Sequence, residues 1–192
     1  MTLAIAKASA LRATAYEFSD KDVRAELLPH LIGRVFHVTQ QHSLDGIRSV
    51  GYIDPNVGGA LGNSFSQSSK SFGRANGCVC LFDFREKTNE AISWGLDCCN
   101  FLESRDFANQ IAVLRIDPVA FPQLIPAGSA YERGGAGTIW VPEVECWFSG
   151  QLPISLISDI LLVTIHRTPI PPNSVIAAIF DANSGATGEG DG

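Results

Sequence analysis

The most constraining feature of this sequence is an uneven alternation of short apolar runs with stretches of helical periodicity. The runs include "GRVFHVT", "CVCLFDF", "IAVLRID" and "ILLVTIH", and between them lie "QQHSLDGIRSVGY" and "NEAISWGLDCCNFLES". Runs of this length and β-branched content predict buried strands, and the intervening stretches predict helices. Because the two kinds of element do not follow each other regularly, the pattern favours an α+β domain over a regular βαβ array.

The length of 192 residues suits one domain with terminal extensions. Residues 1–29 mix helix formers with an apolar spacing that predicts one or two amphipathic helices, which Pro29 would end. Residues 30–167 are expected to form the main domain. Residues 168–192 begin with prolines and end in Gly, Ser, Asp and Glu, which predicts a flexible tail.

Composition narrows the classes of partner. A formal net charge of −6 and a pI of about 5.1 give no overall attraction to phosphate backbones, so nucleic acid is disfavoured as a partner. No stretch approaches the roughly 18 uninterrupted apolar residues that a membrane span needs, and no secretory leader is recognisable. We therefore expect a cytoplasmic protein without a membrane partner. Cys78 and Cys80 share one face of a predicted strand, which is typical of buried core thiols.

Three stretches place polar groups where a core would favour apolar ones. In "RVFHVTQQHSL", His37 lies in the middle of a predicted strand and Thr39 follows on the same face. "NSFSQSSKS" is a dense run of serines around one lysine. In "TIWVPEVECWFSG", which predicts a strand, Glu143 and Glu145 alternate and would project from one face. Taken singly, these are typical of a satisfied core histidine, a solvated loop and two carboxylates on an edge strand.

In this order, the three stretches resemble the ADP-ribosyltransferase family. "VFHVTQQHSLDGIRSVGYI" is similar to the first strand and helix of that fold, and "SFSQSSKSFGRANGCVCLFDF" to the segment in which Ser-Lys-Ser precedes the next core strand. "VECWFSGQLPISLISDILLV" resembles the terminal catalytic strand, especially that of DarT-like toxins. The resemblance covers roughly residues 33 to 166 and implies a split mixed β-sheet around an NAD cleft.

The resemblance also implies roles for particular residues. His37 would take the position of the histidine that holds the nicotinamide ribose, and Thr39 that of the small hydroxyl residue beside it. Glu145 would be the catalytic glutamate, with Glu143 as the first member of the Glu-x-Glu pair of the arginine-directed branch. Arg34 offers a competing first motif, but Arg34 and His37 have opposite strand parity, and the local context favours His37.

The middle motif departs from the polymerase pattern, in which a tyrosine stacks on the nicotinamide. Ser64 and Phe65 stand at that position in this chain. Phe65 or Phe72 could stack instead, or Ser64 and Ser66 could act as in the branch that has a serine motif. This departure leaves the subfamily open.

The implied activity is mono-ADP-ribosyl transfer from NAD, with release of nicotinamide, by a toxin, an effector or a phage-borne modifier that would work in a host cytosol. Cleavage of the bond between ribose and nicotinamide spreads positive charge over the sugar, so a fixed anion such as Glu145 would stabilise the transition state. NAD is the substrate, no metal is needed, and the expected acceptor is a protein rather than a nucleic acid. Glu143 could orient or deprotonate the acceptor.

Several alternatives stay open. An NAD glycohydrolase on the same fold would use water as the acceptor, and an inactive module would bind NAD or ADP-ribosylated material. A relative of tRNA 2′-phosphotransferase would need a cleft rich in arginine, which the acidic balance disfavours. A cysteine hydrolase would pair Cys146 with His37 or His166. The Gly-rich "NVGGALGNS" could meet a pyrophosphate through its backbone amides.

Overall fold

The computed structural model describes residues 11–61, 70–102, 108–130, 132–133 and 137–168. Its helices are α1 (Val23–Leu31), α2 (Leu44–Val50), α3 (Phe72–Ala75) and α4 (Asn89–Asp97). Its strands are β1 (Arg12–Ser19), β2 (Val35–Gln40), β3 (Tyr52–Ile53), β4 (Cys78–Asp83), β5 (Ala108–Ile116), β6 (Leu124–Pro126), β7 (Glu145–Ser149), β8 (Leu152–Pro153) and β9 (Ile157–His166).

The described part of the chain is a mixed α/β structure built on a seven-stranded sheet. The strand order is β1-β9-β5-β2-β4-β7-β6, and β3 pairs separately with β8. Every neighbouring pair is antiparallel except β1 and β9, which run parallel. This architecture agrees with the predicted α+β class.

Two apolar layers cover the sheet. One contains Phe36 and Val38 of β2 together with buried side chains of α1 and α4. The other contains Val35 of β2, Leu44 of α2 and Leu152 of β8. Because successive strand residues face opposite sides, both layers draw on the same strands, which explains why the strand segments read as continuous apolar runs.

The N-terminal prediction was wrong for residues 12–19, which form a strand rather than a helix. "RATAYEFS" lies in register along β9, from Arg12 beside Asp159 to Ser19 beside His166. The pairing partner decides the outcome, since β9 is a long apolar strand whose free edge accepts β1. Between residues 11 and 31, only α1 is helical, and Pro29 lies inside it rather than ending it. Residues 12–31 therefore belong to the main sheet and core.

Several local features of the structure agree with signals in the sequence. Gly51 ends α2 in the left-handed conformation, with φ of 85°. The Ser71 side chain caps α3 by accepting a hydrogen bond from the Arg74 amide. Cys78 and Cys80 share one apolar cluster. The prolines of "DPVAFPQLIPAGSAYERGGAG" predict at most short helix and loop, but residues 124–126 of this stretch form strand β6 instead. The predicted tail lies outside the described residues except for Thr168.

The pairing between β2 and β4 is unusually short. Only Val35 with Asp83 and Phe36 with Phe82 are in register, although β2 continues to Gln40 and β4 starts at Cys78. On its other side β2 pairs with β5 from Phe36 to Gln40. The sheet is therefore continuous at one end of this seam and parted at the other.

Within the described ranges, no helix combines the length and the apolar content needed to cross a membrane.

Candidate functional site

Glu145 is the buried acidic residue at the start of β7. Its side chain is 7% exposed. One carboxylate oxygen, Oε1, accepts the indole N–H of Trp147 at 2.7 Å, and the other, Oε2, accepts the backbone N–H of Val141 at 2.8 Å. Buried carboxylates require such donors, because an unpaired charge in an apolar layer is costly. Both oxygens are thus held by groups that belong to β7 or to the turn before it.

The thiol of Cys80, on the neighbouring strand β4, links Glu145 to the Ser-Lys-Ser segment. Cys80 Sγ lies 3.7 Å from the Ser71 hydroxyl and also contacts the Glu145 carboxylate. Backbone bonds between Phe72 and Ile139 and between Ile139 and Lys70, each 2.9 Å, fasten the two segments together. The structure therefore brings the serine end of the Ser-Lys-Ser stretch close to the glutamate.

His37 lies at the seam between β2 and β4, and its ring reaches across it. Nδ1 is 2.9 Å from the backbone carbonyl oxygen of Cys80. A carbonyl can only accept, so Nδ1 carries the proton in this bond and Nε2 of the neutral ring keeps a lone pair. His37, Ser71 and Glu145 thus all surround one residue of β4.

The strand register also separates the predicted residues. Phe36 lies opposite Phe82, and Phe82 lies opposite Glu145, so these three side chains share one face of the sheet. His37 and Thr39 belong to the other face. His37 approaches Glu145 only through the backbone of the parted strand, and Thr39, which is buried, lies farther along the seam.

Glu143 does not share a strand face with Glu145, and this prediction was wrong. Pro142 and Glu143 lie in a turn, Glu143 has a left-handed backbone with φ of 66°, and its side chain is exposed. The amide of Val144 bonds to the Pro142 carbonyl at 2.8 Å, so the strand begins only at Glu145. Val144 is buried and occupies a place in the apolar layer. In a continuous extended strand, its side chain would instead point to the other face of the sheet.

Phe72 packs inside an aromatic cluster beside the glutamate. Its ring centroid lies 4.2 Å from that of Trp147, at an interplanar angle of 45°, and 6.1 Å from that of Trp140. Phe72 and Trp147 are completely buried. Phe72 is thus a wall of the site. Ser64, Phe65 and Ser66, the other predicted middle-motif residues, lie outside the described residues.

The electrostatics of the cluster follow from burial. Desolvation raises the pKa of Glu145, and hydrogen bonds from Val141, Trp147 and Cys80 oppose that rise. Desolvation lowers the pKa of His37, which favours the neutral ring, against a smaller opposing effect of the bond to Cys80. Burial also raises the pKa of the Cys80 thiol, and that of Cys99 to about 12, with the Glu145 charge adding to both.

The Gly-rich loop has its own internal bonds. The Gly59 amide donates to the Asn56 carbonyl at 3.0 Å, the Leu61 amide to the Asn56 side chain at 3.1 Å, and the Asn56 amide to Asp54 at 2.6 Å. The Arg74 guanidinium of α3 lies directly against Gly59. Contact with a pyrophosphate through these three amides would require the loop to exchange bonds that it already makes.

The cysteine and histidine alternative is not favoured by this geometry. Cys146 is buried in the apolar layer opposite Glu145, and burial strongly raises the pKa of its thiol. A thiol with a raised pKa is a poor nucleophile. His166 ends β9 at the far side of the sheet and pairs with Glu17 at 3.5 Å. In the part of the chain that the structure covers, no three His, Cys, Asp or Glu side chains gather as a metal-binding group.

Sequence reasoning missed Trp147, Cys80 and Val141 as parts of the site. Trp147 was available as a signal, because it stands two residues after Glu145 on one strand and must therefore share its face. Cys80 was assigned to the core, and its contact with the glutamate depends on the β4–β7 register. The Val141 contact depends on the turn at Pro142 and is not visible in a sequence pattern.

Comparison with known proteins identifies no significant relative of this chain. No protein-family model matches the chain, and neither the curated proteins nor the solved structures yield a significant match.

Proposed function

We propose that this protein is an NAD-dependent mono-ADP-ribosyltransferase whose catalytic residue is Glu145. The observation that carries the proposal is a buried carboxylate, held at both oxygens, on the strand next to β4, which borders the short β2–β4 seam. The motif resemblance that implied the role of Glu145 also implied a split sheet around a cleft and a histidine, His37, in the first strand of the fold. His37 at the β2–β4 seam supports that reading.

In this proposal the chemistry is electrostatic. As nicotinamide leaves, the ribose gains positive charge, and a carboxylate near its hydroxyls stabilises that charge without having to reorganise. Neutral His37 lies on the other face of the sheet, so its Nε2 lone pair would accept from a hydroxyl of the same ribose only across the β2–β4 seam. Ser71 and the wall formed by Phe72 would border the nicotinamide. Because the Val141 amide occupies Glu145 Oε2, a ribose hydroxyl would have to displace that bond to reach this oxygen.

Glu143 fits a separate role in the same proposal. It is exposed and lies two residues before Glu145, in a turn rather than on the strand. From that place it would meet an acceptor group that arrives from solvent. The net charge of −6 favours a protein acceptor over a nucleic acid.

The test is the release of nicotinamide from NAD by the purified protein, with and without a cell lysate. We expect Glu145→Gln to lower release by about 100-fold or more, as loss of a transition-state electrostatic contact does. Glu143→Gln is the matched control, because it changes a neighbouring exposed carboxylate and should spare release to water. Stimulation by lysate would indicate a transferase, and release independent of lysate would indicate a glycohydrolase. Equal release by wild type and Glu145→Gln would reject the proposal.

A second candidate is a module that binds NAD or ADP-ribosylated material without turning it over. The burial of Glu145, at 7% exposure, favours this second candidate. A carboxylate whose two oxygens both accept hydrogen bonds can have a structural role as well as a catalytic one. This candidate predicts a rise in the melting temperature with NAD and no release of nicotinamide.

A further inference from the structure

Trp147 stands out among the residues that the motif resemblance did not assign. It lies two residues after Glu145 on β7, so both side chains project from the same face. The indole N–H donates to Glu145 Oε1 at 2.7 Å, and both groups are buried. A bond of this length between a neutral donor and a buried carboxylate is of the stronger, charge-assisted kind.

The packing around Trp147 leaves its ring little freedom to turn. Phe72 lies against it at 4.2 Å between ring centroids, and Ile125, Ala127 and Ala130 belong to the same buried cluster. A side chain added at Gly73 would collide with Cys80 and press on the Trp147 ring. The indole N–H is therefore aimed at the carboxylate before any substrate arrives.

The residue type is informative. A position that required only aromatic bulk would accept phenylalanine, whereas tryptophan brings a donor that needs a partner when it is buried. Glu145 is that partner. The second donor, the Val141 amide, bonds to the other oxygen, Oε2, so Trp147 supplies the bond that remains when a substrate hydroxyl displaces that amide.

We propose that Trp147 is a positioning residue that fixes the Glu145 carboxylate and keeps it ionised when substrate displaces the Val141 amide. This inference rests on the proposed function, in which Glu145 acts on the ribose of NAD. Trp147 itself touches no reacting atom, so its effect reaches the reaction through the orientation and the charge of Glu145.

The first experiment does not depend on activity. The titration of the Glu145 carboxyl carbon is followed by NMR in wild type, Trp147→Phe and Trp140→Phe. Loss of the indole donor should raise the pKa of Glu145 by roughly one pH unit in Trp147→Phe. Trp140→Phe removes an indole from the same aromatic cluster and should leave the titration where it is. An unchanged pKa in Trp147→Phe would overturn the proposal.

The second measurement covers the case in which Trp147→Phe fails to fold. In the wild-type protein, the Trp147 indole N–H resonance should shift with pH along the Glu145 titration, and Glu145→Gln should abolish that shift. An indole resonance that does not shift through the Glu145 titration would overturn the proposal, and this measurement needs no mutation of Trp147.

The third measurement joins the inference to catalysis. The acid limb of the pH profile for nicotinamide release should move to higher pH in Trp147→Phe, by the same amount as the NMR titration. A shifted titration with an unshifted acid limb would refute the catalytic part of the proposal. If the titration shifts but no protein releases nicotinamide at any pH, the proposed function fails while the coupling between Trp147 and Glu145 stands.

Discussion

The cost of burying one carboxylate, that of Glu145, is the main energetic feature of the candidate site. A carboxylate at this burial loses most of its hydration, and two N–H donors and a thiol contact recover part of it. A protein that needed only stability could place a neutral side chain here. Under the proposed function, the ionised form of Glu145 would supply the fixed anion that a developing oxocarbenium ion requires.

The same burial predicts how stability depends on pH. Because burial raises the pKa of Glu145 above its ordinary value of 4.5, the folded protein takes up the proton at higher pH than the unfolded chain does. The resulting stabilisation is present below the unfolded pKa and is lost as the pH rises through the folded pKa. We expect the free energy of unfolding of wild type, relative to Glu145→Gln, to increase as the pH falls from about 7 to about 4.5.

Urea denaturation at a series of pH values measures this difference. His37 titrates in both proteins, so its contribution, which has the opposite sign, cancels in the comparison. If the difference in free energy of unfolding stays constant, or grows toward alkaline pH, then burial does not raise the pKa of the Glu145 carboxyl group.

Among the elements, the short helix α3 is the one on which the site depends most closely. Ser71 caps it, Phe72 and Gly73 are buried, and its inner side lies on Cys80 and Trp147. Gly73 permits this approach because it has no Cβ. A helix of four residues has little stability of its own, so packing against β4 and β7 holds it in place.

The glycines of two helices give a matched pair of substitutions. Gly73→Ala should destabilise the protein by about 1–3 kcal/mol, because the new methyl would collide with Cys80 and lie 3.0 Å from the Cys78 carbonyl oxygen and from Trp147. Gly46→Ala, in α2, meets no atom within 4 Å and should stabilise by about 0.5–1 kcal/mol through higher helix propensity. Thermal or urea denaturation of both variants tests this, and equal effects would contradict the packing around α3.

The sequence predicts those elements whose local residue pattern agrees with the packing that they make in the fold. β2, β4, β5 and α2 are of this kind, and so is the Ser71 cap. β1 was missed because "RATAYEFS" gains its structure from β9, a partner far along the chain. β6 was missed because Pro122 lies just before it and Pro126 is its last residue, and short edge strands tolerate proline.

The candidate site was predictable to a similar extent. Glu145 and His37 were found because each breaks an apolar strand pattern. The pairing of Glu143 with Glu145 failed because a left-handed residue after Pro142 interrupts the strand alternation. Trp147 is a partner of Glu145 because the two residues share a strand face, which the sequence shows. Val141 is a partner because of the turn before β7, which the sequence does not show.

For the whole molecule, the seam between β2 and β4 divides the sheet. β1, β9, β5 and β2 lie on one side and β4, β7 and β6 on the other. Two registered residue pairs, the His37 bond to the Cys80 carbonyl and backbone bonds that join Phe84 to Gly33 and Arg34 link the two sides. The β5–β9 and β1–β9 pairings are far longer. Opening of the molecule should therefore begin at this seam, which is also where the proposed function needs a cleft.

Hydrogen exchange can detect that opening. His37→Ala leaves the Cys80 carbonyl without its donor at a cost of about 1 kcal/mol, so amides of residues 35–40 and 78–83 should exchange about fivefold faster. His37→Asn keeps a side-chain N–H that can replace Nδ1, and its exchange should stay closer to wild type. Amides of β1 and β9 should exchange alike in all three proteins, because their pairing does not involve the seam. A uniform acceleration across every strand would mean that His37 supports global stability alone, and no acceleration at 35–40 would mean that the histidine does not hold the two halves together.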